Sequence, residues 1–233
     1  MYQLHIANRN YSSWSLRPWL LMRELRIAFS ERIWLFEPGS NLARFRSFSP
    51  SGRVPCLVDG ANTVWDSLAI VEYLAERHQG VWPAATAARA FARSAACEMH
   101  SGFAELRSRC SMSCGVRVRL QAMTPALAED VARIDALWRD GLDRFGGPWL
   151  GGEAFTAVDA FFAPVAFRVQ TYALPLGRGA SVYAARLLAL PAMREWYAAA
   201  LRETAREPMH EAEVAQAGTV VEDLRAPPSA SVV

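Results

Sequence analysis

The spacing of apolar residues changes once along this chain, and that change constrains the fold more than any other feature. Up to residue 79, short alternating stretches that predict β-strands are interleaved with stretches of helical spacing. The strands are predicted over 2–7, 29–36, 56–58 and 63–65, with helices from about Ser15 and from Ser67. From residue 84 onward the spacing predicts only helices, over 84–112, 125–145, 156–172 and 190–207. We therefore expect a small mixed sheet with helices on its faces, followed by an all-helical domain.

The boundary between the two parts is predicted near residue 80. The segment QGVWPAATAAR breaks the helical spacing, and Gly80 and Pro83 punctuate it as they would a linker. We assign residues 1–80 to the first domain and 81–217 to the helical domain. Residues 218–233 are small, polar and proline-containing, so we expect a disordered tail there.

Composition excludes several classes of function. The formal net charge of +2 over 233 residues predicts no affinity for nucleic acid. The chain contains no lysine, which excludes chemistry that needs a lysine nucleophile. No apolar run reaches the roughly 20 residues of a membrane span, and the first residues do not resemble a signal peptide. We expect a cytoplasmic protein with four free cysteines and no bound metal.

Three serines crowd the stretch NRNYSSWSLRPWLLMREL, just before the first predicted helix. Proline is tolerated in the first turn of a helix, so Pro18 predicts that Ser15 is the N-cap. Capping then leaves Ser12 and Ser13 unexplained. A hydroxyl beside the positive end of a helix can hold an anion, including a thiolate.

Two further pairs border predicted secondary structure in the first domain. Val54-Pro55 enters a strand, and a cis bond there would leave the backbone of Val54 free to pair with a ligand. Asp66-Ser67 opens a helix, where either residue is a natural N-cap or could receive a carboxylate together with the helix dipole. Each pair taken singly also has an ordinary structural explanation.

In combination, these motifs resemble those of the glutathione transferase family. The stretch NYSSWSLRPWLLMREL is similar to the serine motif of the family's zeta-type, maleylacetoacetate isomerase-like members. The segment GRVPCLVDG followed by VWDSLAIVEYLAER resembles the glutathione-binding segment, and GGEAFTAVDAFFAPV resembles the capping motif of the second domain. The resemblance covers the chain to about residue 215. It implies a thioredoxin-like N-terminal domain followed by an all-helical C-terminal domain.

The resemblance also implies roles for individual residues. Ser12 matches the serine that hydrogen-bonds the sulfur of glutathione, with Ser13 as its rival. Val54 matches the residue whose backbone pairs with the cysteinyl part, and Pro55 matches the family's cis proline. Asp66 and Ser67 match the pair that holds the γ-glutamyl end. Arg53 stands where the family often has a glutamine or lysine near the glycyl carboxylate, so the resemblance implies that position for Arg53.

The function implied is activation of the glutathione thiol for attack on a small hydrophobic electrophile. Conjugation, isomerisation and peroxide reduction all remain open, and glutathione would be a cosubstrate. Trp14 stands where zeta-type members often carry cysteine, which weakens any transfer of their isomerase chemistry. The alternative is a non-catalytic binding protein that kept the fold. The resemblance further implies a homodimer.

Overall fold

The computed structural model describes residues 1–228, and its first part is built on a four-stranded sheet. The strands are β1 (Tyr2–Ile6), β2 (Phe29–Ile33), β3 (Cys56–Asp59) and β4 (Asn62–Trp65). Their order is β2-β1-β3-β4, with β1 parallel to β2 and antiparallel to β3, and β3 antiparallel to β4. The mixed sheet and its hairpin at Asp59-Gly60 confirm the fold expected from the sequence.

Three helices accompany this sheet: α1 (Ser13–Glu24), α2 (Leu42–Phe45) and α3 (Ser67–Ala75). The predicted start of α1 is wrong. The helix begins three residues earlier than the Ser15 cap would require, Ser12 occupies the cap position, and Pro18 lies inside the helix. Pro18 is tolerated there even though it cannot donate the hydrogen bond of an interior helical residue.

The second part of the chain is mostly helical. It contains α4 (Thr86–Ser101), α5 (Ala104–Arg109), α6 (Pro125–Phe145), α7 (Ala157–Tyr172), α8 (Arg178–Ala189), α9 (Pro191–Arg202) and α10 (Pro208–Ala217). The ends of α6 agree with the prediction. The predicted helix over 84–112 is divided at Gly102 and Phe103, where Phe103 has a φ of 57°. Because a left-handed residue cannot continue a right-handed helix, α5 starts anew after it.

Two strands in this part correct the sequence-based expectation. Strand β5 (Val116–Leu120) pairs antiparallel with β6 (Gly218–Asp223), which lies in the stretch expected to be a disordered tail. Arg225 continues the ordered stretch, pairing with Glu211 at 2.6 Å and Asp223 at 2.8 Å. A strand whose partner lies about a hundred residues away has no local signal, so its pairing was missed. The rest of the predicted tail, 229–233, lies outside the described residues.

Packing of α1 against α7 joins the two parts. Leu16, Trp19 and Leu20 of α1 are fully buried, as are Phe161 and Phe162 of α7. The predicted domain boundary at residue 80 lies in the segment between α3 and α4. None of the helices in the described part of the chain is both long and apolar enough to cross a lipid bilayer.

Candidate active site

A cleft lies between the sheet-bearing part and the helical part. It consists of two cavities of about 390 and 430 Å³ that share Trp14, Arg53 and Val54. The first cavity is also bordered by Ser12 and Ser13 at the start of α1. The second cavity is also bordered by three other predicted site residues, namely Pro55, Asp66 and Ser67. The fold therefore gathers all seven candidate residues around one cleft.

The two serines at the start of α1 differ in their hydrogen bonds. Both are buried, and both border the first cavity. Ser12 Oγ donates to Ser15 Oγ at 2.7 Å. In residues 1–228, no partner is found for Ser13 Oγ, so its proton is free for a ligand. Ser12 must rotate its hydroxyl away from Ser15 to serve one, at a cost of about 1 kcal/mol.

The other two polar residues near this helix start are already occupied. Ser15 Oγ accepts from the Ala7 N–H at 3.3 Å as well as from Ser12, so it ties α1 to the end of β1 and does not cap the helix. The Tyr11 hydroxyl donates to Glu211 at 2.7 Å. Burial, followed by this bond, raises the pKa of Tyr11 well above its usual value. Tyr11 therefore has no proton to offer in the cleft.

The Val54-Pro55 peptide bond is cis, and it immediately precedes β3. Val54 borders both cavities, and Arg53 beside it is exposed at their junction. A backbone segment at this position can pair with an extended peptide as an added strand would.

The start of α3 holds Asp66 and Ser67 at the second cavity. Asp66 has a φ of 75°, a conformation in which non-glycine residues are rare, and its Oδ1 accepts from the Leu68 N–H at 2.8 Å. Asp66 is thus the N-cap, while its other oxygen lies 3.5 Å from His100 Nε2. Burial lowers the pKa of His100, although Asp66 opposes the shift, so the imidazole is neutral at pH 7. The Asp66 charge is consequently available to a ligand cation.

Arg17 lies buried behind these residues, in the contact between α1 and α7. Its guanidinium stacks 4.2 Å from the ring of Trp14 and 4.8 Å from that of Phe161. Nη1 donates to Ser67 Oγ at 3.5 Å, whereas Nε and Nη2 have no partner among the described residues. Burial, and then the charges of Arg107 and Arg168, lower the pKa of Arg17 well below its usual value. This group adds positive potential at the second cavity.

The wall opposite the serines comes from the helical part. Arg107 of α5, Arg168 of α7 and the connecting residues Ser111 and Met112 border the first cavity. At its outer edge, the ring of His210 stacks on Tyr11 and Phe36. Phe103 and Arg109, which lie on the same stretch of the chain, do not border this cavity.

Sequence reasoning did not name His100, Ser111, Arg168 or His210 as residues of this cleft, and for Arg17 it favoured a structural role over contact with an anionic ligand. His100, Arg168 and Ser111 come from α4, α7 and the segment after α5, and no spacing motif connects them. Arg17 carried a weak signal, because it stands next to the serine motif on the helix face that also holds Trp14. A charged residue amid an apolar helical face was the feature that could have marked it.

Comparison with protein-family models gives two matches. Residues 11–77 match the model of the glutathione S-transferase N-terminal domain. Residues 117–199 match the model of the glutathione S-transferase C-terminal domain. The two models together match well over half of the chain, in the order in which the two parts of the fold occur.

Solved structures of similar fold include several from bacteria. A glutathione transferase homologue from Burkholderia gl BGR1 with bound glutathione is 20% identical, covers 85% of this chain and 97% of its own, and has a TM-score of 0.63. The theta class glutathione S-transferase from Xanthomonas axonopodis pv. citri with glutathione bound is 25% identical, covers 84% of this chain and 96% of its own, and has a TM-score of 0.59. A glutathione S-transferase from Rhodospirillum rubrum F11 is 21% identical, covers 92% of this chain and 100% of its own, and has a TM-score of 0.61. None of the curated proteins matches the chain.

Proposed function

Because the chain belongs to the glutathione S-transferase family, we propose that it binds glutathione along this cleft and activates its thiol for attack on an electrophile. One observation carries the proposal. The hydroxyls at the start of α1 and the Asp66-Ser67 pair border adjoining cavities, with the Val54 backbone shared between them.

Glutathione would lie extended with its γ-glutamyl end in the second cavity. Asp66 would meet its ammonium group, while Ser67, the start of α3 and the cation of Arg17 would favour its carboxylate. The backbone of Val54, ahead of Pro55, would pair with the cysteinyl part, and the exposed Arg53 would lie near the glycyl carboxylate. The sulfur would then point to Ser12 and Ser13.

Activation means lowering the pKa of the bound thiol. A free thiol has a pKa of about 8.5, so only a small fraction of it is ionised at pH 7. Lowering that value by about two units needs roughly 2.7 kcal/mol, which a charge-assisted hydrogen bond and a helix N-terminus can supply together. We assign the donor to Ser12 by its position in the motif. Ser13 is its rival, and the free proton of Ser13 Oγ favours it on geometry.

In conjugation, the thiol proton passes to solvent and the thiolate forms a sulfur–carbon bond. With a halogenated electrophile, the carbon–halogen bond breaks and the halide leaves with its electron pair. With an activated double bond, the adjacent carbon takes a proton instead. The same thiolate could start isomerisation or peroxide reduction, so the site itself favours thiolate chemistry in general.

The test combines binding with turnover. Calorimetric titration with glutathione should show saturable binding, and 1-chloro-2,4-dinitrobenzene should be conjugated faster than in the absence of protein. Asp66→Asn is the matched variant, since it removes the charge and keeps an acceptor for the cap. Failure of glutathione to bind would refute the proposal, and binding without turnover of any electrophile would support the non-catalytic alternative.

We also propose a homodimer, with a contact patch formed by residues 69–73 of α3 and 89–99 of α4. Ala69 and Ala90 are exposed in this patch, and small side chains permit close approach of a partner. Arg93 and Glu72 form an ion pair at 3.2 Å that links the two helices at the same surface. Sedimentation at micromolar concentration should give twice the 25.8 kDa chain mass, and a monomer would refute the dimer.

A further inference from the structure

Arg168 is a buried cation whose guanidinium is only partly bonded. The residue is 4% exposed, and Nε donates to the Cys110 carbonyl at 2.7 Å. Nη1 is buried and has no partner within residues 1–228. Since Arg168 borders the first cavity, its charge lies beside the space in which an electrophile must lie to meet the sulfur.

Arg107 adds a second cation on the same wall. It is half-buried, its Nε donates to the Gly102 carbonyl at 2.9 Å, and its guanidinium lies 4.8 Å from the Trp14 ring. Its Nη2 also donates to the carbonyls of Met99 and His100, and none of these partners carries a formal charge. Burial lowers the pKa of Arg107, and the charge of Asp130 opposes the shift.

Carboxylates do not neutralise this wall. Among the described residues, no ion pair within 4 Å involves Arg17, Arg107 or Arg168. Asp130 accepts from the Leu106 N–H, and Glu213 borders the cavity from an exposed position on α10. Burial, and then the charge of Arg107, lower the pKa of Arg168 to about 10, so it is still charged at pH 7. Buried charge without a counter-charge is unfavourable unless a ligand supplies one.

A hydroxyl stands beside these cations. Ser111 is buried and borders the same cavity, and its Oγ has no hydrogen-bond partner among the described residues. Arg107 and Arg168 supply two cations to one wall of the cavity, and Ser111 supplies a hydroxyl without a partner among the described residues, a set suited to a planar oxyanion. Guanidinium and hydroxyl groups together match the geometry of a carboxylate.

We propose that the electrophile carries a carboxylate, which Arg168, Arg107 and Ser111 bind while its reactive carbon faces the serines. The inference rests on the proposed function and refines it, because a purely apolar electrophile would leave these donors unpaired. In the proposed binding mode, the carboxylates of glutathione itself lie at the second cavity, beside Arg53 and Ser67.

The test uses two electrophiles that differ in one charge: 4-chloro-3,5-dinitrobenzoate and its methyl ester. In both, the glutathione sulfur bonds to the chlorine-bearing carbon, chloride leaves with its electron pair, and the thiol proton goes to solvent. Each kcat/KM is divided by the uncatalysed rate constant, because the ester is intrinsically more reactive. We expect the corrected ratio to favour the carboxylate at least tenfold, and a ratio of one or below would overturn the inference.

Variants test whether the preference for the carboxylate-bearing electrophile depends on residues of this wall. Arg107→Gln and Ser111→Ala should each lower the ratio, Arg107→Gln by about tenfold. They are preferred to changes at Arg168, whose burial makes folding of its variants less secure. Arg109→Gln is the matched control, since Arg109 is exposed on the same helix and, within residues 1–228, forms an ion pair only with Glu105. An equal fall in the control, or a matching loss of glutathione affinity in Arg107→Gln, would overturn the assignment.

Binding of the two reaction products separates this inference from the proposed function. Calorimetry with the carboxylate-bearing S-aryl glutathione and with its methyl ester needs no turnover. Tighter binding of the carboxylate conjugate, by tenfold or more, supports the inference even if no electrophile is conjugated. Equal affinity overturns the inference and leaves glutathione binding intact. Failure of both conjugates and of glutathione to bind would refute the proposed function as well.

Discussion

The starts of α3 and α7 each carry an aspartate, and the two carboxylates differ in what surrounds them. Asp66 at α3 is 47% exposed in its side chain and makes one backbone bond, to the Leu68 N–H. Asp159 at α7 is fully buried and accepts from Leu150 N–H at 3.0 Å, Thr156 N–H at 2.9 Å and the Tyr183 hydroxyl at 2.8 Å. Similar sequence signals therefore produce a charge at a cavity in one region and a structural anchor in the other.

Burial and the number of donors distinguish the two roles. A buried carboxylate with three donors has little capacity left for a ligand, so its removal should affect folding. An exposed carboxylate with a spare oxygen at a cavity should affect binding more than folding. The substitutions below test whether this division holds, beginning with the largest expected effect.

Asp159→Asn should lower the free energy of unfolding by at least about 2 kcal/mol at pH 7, because asparagine offers one acceptor oxygen to three buried donors. Chemical denaturation is the measurement. Asp140→Asn is the matched control. Asp140 is exposed on α6 and its one ion pair in the described part of the chain is with Arg144, so the change should affect stability little. Equal losses in both variants would remove the distinction between anchor and surface charge.

We also expect Asp159 to make the free energy of unfolding depend on pH. Burial raises the pKa of Asp159 to about 6, against 3.8 for an ordinary aspartate. Between those pH values the unfolded chain has released a proton that the folded protein keeps. The contribution of Asp159 to stability is therefore full below pH 3.8 and falls by about 1.4 kcal/mol per unit as the pH rises toward 6. The stability advantage of the wild type over Asp159→Asn should narrow across this interval, and a widening would contradict the raised pKa.

Asp66→Ala should weaken glutathione binding by about 10- to 100-fold, equivalent to the 1.5–3 kcal/mol of a charge-assisted hydrogen bond. It should also lower stability by about 1 kcal/mol through loss of the cap. Asp66→Asn should lose the affinity but keep most of the stability. Calorimetry and thermal unfolding separate the two effects, and unchanged affinity in both variants would make Asp66 a cap only.

Ser15→Ala should have the smallest effect, a loss of about 1 kcal/mol in the free energy of unfolding. The cause is the unpaired Ala7 N–H, which is left buried without its acceptor. Ser13→Ala is the control, because no hydrogen bond of its hydroxyl is lost in the described structure. A larger loss in Ser13→Ala than in Ser15→Ala, measured by thermal unfolding, would show that the roles of these serines are reversed.

Sequence reasoning succeeded where a signal is local. The hairpin at Asp59-Gly60, the extent of α6 and the capping box of Thr156 and Asp159 each depend on residues a few positions apart. It failed at Ser15, because the tertiary bond to Ala7 took the hydroxyl that a capping rule had assigned to the helix end. The β5–β6 pairing was missed for a related reason, since each strand is short and unstable until it meets the other.

The candidate site likewise contains some residues that have a local sequence signal and others that only tertiary packing brings to the cleft. The candidate residues between 12 and 67 could be named from the sequence because each lies at the beginning of a helix or strand, where the sequence is distinctive. Arg168 and Ser111 were not found, because only packing of α7 against the segment after α5 brings them to the cleft. A cation without a counter-charge is visible only when its surroundings are known.

Titration of the thiol of bound glutathione tests the central claim most directly. Ultraviolet absorbance of the thiolate, followed against pH in the saturated protein, should give an apparent pKa about two units below the free value of about 8.5. Ser12→Ala should return the value toward that of free glutathione, and Ser13→Ala should leave it lowered. The reverse pattern would move the assignment to Ser13. A wild-type value equal to that of free glutathione would contradict the account, because the start of α1 would then not stabilise the thiolate.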